Sequence, residues 1–284
     1  RSLCRKLYRT MRKLKILFLL TLLSGLVNSQ NIYTALQLNQ EREYKTVRPK
    51  KIVETNTFYN TSGKQVDKKI NIFDEAGILL TEERYNEDGN ITARITYTND
   101  TTNRLKLTRI FESWNKPGYS KETAFYSYDT NKFLIGTTDK DANGNVIRQS
   151  DLVCNDKGHP IELSLFDRNG NSFGKEIATY LYDRNKAVTS VISNDGRILS
   201  TDTIKISFIK ASLFPADTEI YNSNGDLTNW ISKSFIGTET IFEEEYVYDN
   251  LGNCIENKIY KVTFKNNGNR KREIDRVFKK KYYY

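Results

Sequence analysis

Histidine, cysteine, proline and methionine are scarce here: 284 residues hold 1 His, 3 Cys, 4 Pro and 1 Met. Zinc centres and iron–sulfur clusters draw on several His or Cys ligands. The chain has no Cys-x-x-Cys pair and no His/Cys cluster at metal spacing. Uncompensated charge is also scarce once it is located. The +9 net charge comes from 44 Lys+Arg against 35 Asp+Glu, but residues 1–29 hold seven cations (Arg1, Arg5, Lys6, Arg9, Arg12, Lys13, Lys15) and no acid. The remainder carries 37 against 35, a net of +2. The basic pI therefore belongs to the N-terminus, and a nucleic-acid partner is not expected. No cofactor or metal is implied either. Aromatics are plentiful, with Tyr 18, Phe 14 and Trp 2, so the chain has enough apolar area to fold rather than stay disordered.

The one long hydrophobic run is N-terminal. Met11 opens a cationic stretch followed by Ile16-Leu17-Phe18-Leu19-Leu20-Thr21-Leu22-Leu23, then small and polar residues to Ser29. This is the grammar of a secretory signal peptide, with Val27 and Ser29 at the −3 and −1 positions and cleavage expected before Gln30. The run is shorter than the ~20 residues a membrane-spanning helix needs, and no transmembrane helix is expected in the mature chain. Residues 1–10 read as lying upstream of the true start. The mature protein is accordingly expected in the periplasm, at the cell surface or in the medium. Cys4 leaves with the leader, so Cys154 and Cys254 remain, too few for a disulfide scaffold.

A short unit recurs along the rest. Tyr248-Asp249-Asn250-Leu251-Gly252-Asn253, Tyr85-Asn86-Glu87-Asp88-Gly89-Asn90 and Phe166-Asp167-Arg168-Asn169-Gly170-Asn171 match it fully. Partial copies start at Tyr59, Phe73 and Tyr221; copies at Asp141 and Asn155 lack the aromatic; Tyr128-Asp129-Thr130-Asn131 and Tyr182-Asp183-Arg184-Asn185 lack the glycine, with Asn expected to take its backbone. The physics is that of a hairpin turn: the Asx side chain caps its own backbone two residues on, and Gly supplies the positive φ. Glycines 63, 77 and 89 are 14 and 12 residues apart, as are 144, 158 and 170. One period holds one strand of ~8 residues and a turn.

Between turns, apolar and polar residues alternate as in half-buried strands. Ile91, Ala93, Ile95 and Tyr97 oppose Thr92, Arg94 and Thr96; Leu163 and Leu165 oppose Glu162 and Ser164; Ile198, Ile204, Ile206 and Phe208 share a face. A short helical turn is expected only near Thr34 to Gln40. The fold class is all-β, an antiparallel meander of repeated hairpins in an extended, curled or closed sheet, with about sixteen strands after Lys51. The expected organisation is a leader over 1–29, an N-terminal segment over 30–50 and a β-hairpin repeat domain over 51–284.

The Tyr-x-Tyr-Asp-x-x-Gly-Asn units resemble the YD repeats of Rhs-type bacterial secreted and surface proteins over roughly residues 58 to 268, with a lesser similarity to MORN-like hairpin repeats around Tyr85 to Tyr97. The basic residue usual after the YD glycine stands here only at Lys64 and Arg197. Both resemblances imply a β-hairpin scaffold without catalysis in the repeats.

The candidate ligand-binding residues are the pairs Tyr126/Tyr128, Tyr180/Tyr182 and Tyr246/Tyr248. Each pair sits at i, i+2 before a turn, so its rings share a face. Stacked across strands they offer a platform for sugar rings; otherwise they form the sheet's own aromatic ladder. No catalytic residue stands out. A glycosidase needs two carboxylates facing each other across ~5–9 Å, and neither Glu82-Glu83 nor Glu243-Glu244-Glu245 supplies such a pair, because neighbours on a strand face opposite sides. His159 reads as a solvent-facing loop residue. The Asx-rich turns lack the order of a defined calcium loop.

The last twenty residues carry eight cations against Glu273 and Asp275, read as protection of a final edge strand. The expected function is an exported, non-catalytic scaffold or binding module whose partner is a glycan, a cell-surface polymer or another surface protein. An outer-membrane β-barrel and a glycan-acting hydrolase are the alternatives. Repeat parity places Cys154 and Cys254 at opposite ends of the sheet, so both thiols are expected to be free.

Overall fold

A computed structural model describes Asn31, Ile32 and Ala35 and residues 47–61, 63–115, 118–184, 186–205, 220–233, 239–264 and 269–284. Among the described residues seventeen strands follow one another. The first six are β1 (Lys51–Asn60), β2 (Gly63–Phe73), β3 (Leu79–Tyr85), β4 (Ile91–Asp100), β5 (Leu105–Asn115) and β6 (Gly118–Tyr128). Then come β7 (Leu134–Asp141), β8 (Val146–Cys154), β9 (Pro160–Asp167), β10 (Ser172–Leu181), β11 (Lys186–Ser193) and β12 (Ile198–Lys205). The last are β13 (Ile220–Tyr221), β14 (Leu227–Lys233), β15 (Glu239–Tyr248), β16 (Cys254–Phe264) and β17 (Arg270–Tyr283). The fold is all-β, as the alternation and the turn spacing require.

Nine connections share one backbone pattern. They begin at Asp74, Asn86, Asp129, Asp141, Asn155, Asp167, Ser193, Asn222 and Asp249; the first residue's N–H bonds the carbonyl four residues on, and the N–H three residues on returns to the first residue's carbonyl. The side-chain oxygen of that first residue also accepts the N–H four residues on. At four of the turns it takes the N–H two residues on as well. The fourth residue lies at positive φ, between 69 and 84°: Gly in eight turns and Lys132 in the ninth. This is a type I turn closed by a glycine bulge.

Three expectations are corrected here. Lys132 takes the left-handed backbone, not Asn131. Tyr182–Arg184 forms a 3-10 turn. The copy at Tyr59 is not a copy, because Gly63 belongs to β2 and pairs directly with Asn60.

The strands pair in a single run, β13-β14-β15-β16-β17-β1-β2 and onward to β12, through sixteen antiparallel ladders. The last strand therefore sits beside the first, with Lys51 opposite Tyr283 and Phe58 opposite Arg276. Sixteen antiparallel steps leave β12 and β13 running in the same direction. Among the described residues the sheet is not closed, and no ladder joins β12 to β13.

Strand β17 is consequently not an edge, which overturns the reading of its cations as edge protection. They sit inside the sheet and find carboxylates: Lys280 with Glu54 at 3.5 Å, Lys279 with Glu256 at 3.3 Å and Arg272 with Glu245 at 2.7 Å.

A single sheet buries few side chains completely. One cluster does so, where Leu134, Leu152, Leu163 and Ala178 on β7–β10 are covered by Ile32 and Ala35 of the N-terminal segment, each 1% exposed. The N–H of Ile32 donates to Glu176 Oε2 at 2.8 Å. Ile32 and Ala35 are helical. Thr34 and 36–40 of the expected helical turn, Ile206 and Phe208 of the expected apolar row, and the whole leader lie outside the described residues.

Candidate functional site

Residues opposed in a ladder lie on the same face, so the registers assign faces without ambiguity. Tyr126 shares its face with Ala124, and that row runs through Arg109 to Tyr97. From Ile95 it continues through Glu82, Asn71 and Ile52 to Tyr282, and from Phe278 through Asn257 to Tyr246. In the other direction Tyr126 reaches Thr137, Ser150 and Leu165, then Gly174 on β10, the strand that carries Tyr180. All three tyrosine pairs therefore occupy one face. Strands β6, β10, β15 and β17 run in the same direction, so the pairs also gather at one end of the sheet.

The hydroxyls show what holds this rim together. Tyr128 donates to Lys106 O at 2.9 Å, Tyr180 to Pro160 O at 2.8 Å and Tyr246 to Leu227 O at 2.7 Å. Each acceptor lies at the start of the adjacent, immediately preceding strand: β5, β9 and β14. The partner tyrosine reaches the preceding turn at the same end. Tyr182 bonds Asn155 Nδ2 and His159 Nδ1, both at 2.8 Å, and Tyr248 donates to Asp226 Oδ2 at 2.6 Å while accepting from Asn222 Nδ2 at 2.9 Å.

Rings within a pair stack, Tyr180 on Tyr182 with centroids 5.6 Å apart and Tyr246 on Tyr248 at 6.2 Å. All six rings are half-buried, and Tyr128 packs with Tyr126 and Tyr180 against the core cluster. Burial pushes the Tyr128 phenol up to about 12 and raises Tyr180 and Tyr246 as well. The phenols remain protonated donors at neutral pH.

Tyr282/Tyr284 is a fourth pair of the same kind. Tyr282 donates to Cys254 O at 2.9 Å, Tyr284 accepts from Asn253 Nδ2 at 2.7 Å, and the rings stack at 6.5 Å. Its i, i+2 spacing was the available signal. Tyr126 departs from the pattern: in β6 it is Tyr128 that takes the backbone bond, and the Tyr126 hydroxyl has no partner among the described residues.

The carboxylate runs are committed within the sheet. Glu82 pairs with Arg84 at 2.6 Å; Glu83 accepts from Tyr85 at 2.6 Å and from Arg94 at 3.1 Å, and the Tyr85 bond leads in holding its pKa down. Glu243 and Glu245 share Arg272 on the face opposite the tyrosines, where the Arg272 hydrogen bond leads in lowering Glu245. Glu244 lies on the tyrosine face and accepts from Trp230, Tyr246 and Asn257 at 3.0, 2.8 and 2.7 Å.

His159 is half-buried against Tyr180 and Tyr182 rather than solvent-facing. Burial, then Lys157, lowers its pKa, so it is neutral at physiological pH. Among the described residues no three His, Cys, Asp or Glu side chains gather as metal ligands.

Cys154 and Cys254 form no disulfide, yet the parity argument for this is corrected. Strands β8 and β15 run in the same direction, so Cys154 and Cys254 lie at the same end of the sheet. Nine ladder steps, about 43 Å along the sheet at ~4.8 Å each, separate them. Each Sγ donates instead to a carbonyl, Cys154 to Leu134 at 3.5 Å and Cys254 to Glu256 at 3.3 Å.

No family profile matches the chain, and no curated protein matches it. Among solved structures it is similar to a porin-like protein from Bacteroides uniformis, with 13% identity and a TM-score of 0.45 over 82% of this chain and 96% of that one. Two Tc toxin structures overlap it more loosely. The TcdB2-TccC3-TEV structure has 11% identity and a TM-score of 0.19 over 80% of this chain. The Photorhabdus luminescens Tc holotoxin pore has 12% identity and a TM-score of 0.22, also over 80% of this chain. The chain spans 16% of the length of each toxin chain.

Proposed function

We propose that the protein is an exported, water-exposed β scaffold that binds an extended ligand, a carbohydrate or surface polymer, without catalysis on its tyrosine face. The observation that carries this reading is the convergence of Tyr126/Tyr128, Tyr180/Tyr182 and Tyr246/Tyr248 on one face and one end, with half-exposed rings. Successive pairs offer similar contacts, and weak sites add along a polymer. The YD-repeat resemblance agrees with such a scaffold. Commitment of both carboxylate runs to cations and hydroxyls favours binding over glycan cleavage.

A glycan array probed with the mature chain tests this, together with two variant sets. Phe at Tyr180, Tyr182, Tyr246 and Tyr248 keeps the rings and removes the hydroxyls; Ala removes both. Binding retained in folded Phe variants and lost in folded Ala variants supports the platform. Equal binding by both sets, or none by the wild type to any glycan, refutes it. N-terminal sequencing of the exported protein should begin at Gln30; a retained leader refutes export by this route.

The pairing of β1 with β17 favours a second reading, an outer-membrane barrel. Charge on both faces weighs against it. The tyrosine face carries Glu54, Lys69, Arg84 and Arg148; the other carries Glu83, Arg94 and Glu112 in one row. Lys or Arg facing lipid costs about 2–4 kcal/mol at mid-membrane. Co-flotation with liposomes and heat-modifiable migration would support the barrel; recovery in the aqueous fraction supports the scaffold.

A further inference from the structure

Most cations on the tyrosine face meet a carboxylate. Lys69 and Lys280 flank Glu54 at 3.4 and 3.5 Å, Arg148 holds Asp139 at 2.6 Å and Arg84 holds Glu82 at 2.6 Å. Lys106 and Arg109 on β5 do not. Among the described residues neither forms an ion pair, and Arg109 Nε is buried without a hydrogen-bond partner.

Two tyrosine hydroxyls without a partner among the described residues stand beside them. Tyr97 opposes Arg109 across β4 and β5, and Lys106 Nζ lies 5.1 Å from the centre of the Tyr97 ring. On the other side Arg109 opposes Ala124, two residues before Tyr126. The small Ala124 side chain, 3% exposed, is covered by these larger neighbours. Four donors thus surround one spot with no acceptor of their own. The nearest carboxylates are taken: Asp139, which opposes Ala124, is held by Arg148, and Glu82 by Arg84; Glu122 opposes Phe111 and lies on the far side of Ala124 from Tyr126.

We propose that Tyr97, Lys106, Arg109 and Tyr126 form a binding site for the carboxylate of an acidic sugar unit, which rests on the polymer-binding reading above and names its ligand class. A carboxylate offers acceptors to all four donors, and charge-assisted bonds to Arg and Lys are the stronger kind. The Tyr97 and Tyr126 rings on either side suit a sugar ring rather than a bare ion. The local electrostatics agree. Burial, reinforced by Arg109, lowers the Lys106 pKa, and an anion placed beside both cations would favour the charged form. Burial pushes Tyr97 up to about 12, keeping it a donor.

The test is calorimetric titration of the mature chain with a galacturonic acid trimer and with its methyl ester, repeated on Lys106→Met and Arg109→Met. The acid should bind at least tenfold tighter than the ester, and each variant should lose at least tenfold for the acid alone. Because each variant removes an uncompensated buried cation, each should also unfold at a higher temperature than the wild type without ligand, which guards against misfolding as the cause of lost binding. Equal affinity for acid and ester, or wild-type affinity in both variants, overturns the site while leaving polymer binding intact. Absence of trimer binding with tight binding of a glutamate oligopeptide overturns the sugar class. If no glycan binds but sodium sulfate at fixed ionic strength stabilises the wild type and neither variant, the anion site stands and the acidic sugar is overturned.

Discussion

At Gly158 and Gly170 the same positive-φ turn meets different surroundings. A Cβ at Gly170 would project into open space, whereas one at Gly158 would fall 2.4 Å from the Phe133 ring. Left-handed backbone costs an L-residue about 1–2 kcal/mol, and forcing a packed ring aside adds about 1–3 kcal/mol. Gly170→Ala should therefore lower stability by about 1 kcal/mol and Gly158→Ala by about 3 kcal/mol, read from denaturant midpoints. Charge at the residue scale is visible in Glu54, 8% exposed. Burial raises its pKa, but Lys69, Lys280 and the Asn56 hydrogen bond outweigh it and leave the carboxyl below 4.5. A carboxyl depressed by folding contributes stability above its unfolded pKa and loses it as pH falls through the folded value. Unfolding midpoints of the wild type should thus drop below about pH 4.5, and Glu54→Gln should drop less over that interval while being weaker at pH 7. An unchanged acid limb in the variant would assign the loss to other groups.

Hairpins are joined at the tyrosine rim by side chains reaching back to an earlier turn. Tyr182 serves Asn155 and His159 together, so Tyr182→Phe removes one hydroxyl and leaves two half-buried polar groups to find water. A loss of about 1–3 kcal/mol is expected by thermal unfolding, against a near-neutral effect for Tyr126→Phe, whose hydroxyl supports no contact in the described protein. The turns themselves were legible in the sequence, because Asx-x-x-Gly states its own backbone. The aromatic pairs were legible as sharing a face, because i, i+2 spacing requires it. Their hydroxyl partners, 19 to 27 residues away, lie at the start of the neighbouring strand or in the turn that opens it, a long-range pairing that local spacing does not encode. Lys106 was hidden for a related reason: a bulge at Thr98/Asn99 turns it onto the tyrosine face, against simple alternation from Arg109.

For the whole sheet, the spacing of turns yields strand number and neighbour pairing but says nothing of how the ends meet. That is why β17 read as an edge, and why parity placed the two cysteines at opposite ends: β12 and β13 run in the same direction, breaking the alternation a count of repeats assumes. Pairing of β1 with β17 is the contact on which the whole-sheet topology turns, and it admits a direct test. Thr55 and Lys279 are opposed in that ladder, and opposed antiparallel residues have Cα atoms about 4.5–5.5 Å apart, within the span of a disulfide. With Cys154 and Cys254 replaced by Ser, Thr55→Cys combined with Lys279→Cys should oxidise to a single intramolecular bond, seen as faster migration on non-reducing gels. The bond closes a loop of about 225 residues, for which chain entropy favours the folded state by about 5 kcal/mol less any strain. The midpoint of the oxidised form should rise well above that of the reduced form. A control with Thr55→Cys and Lys258→Cys, which are not opposed, should stay reduced. If the first pair also fails to cross-link under conditions where both thiols react with a maleimide, β1 and β17 are not neighbours in solution, and the sheet has edges at both termini.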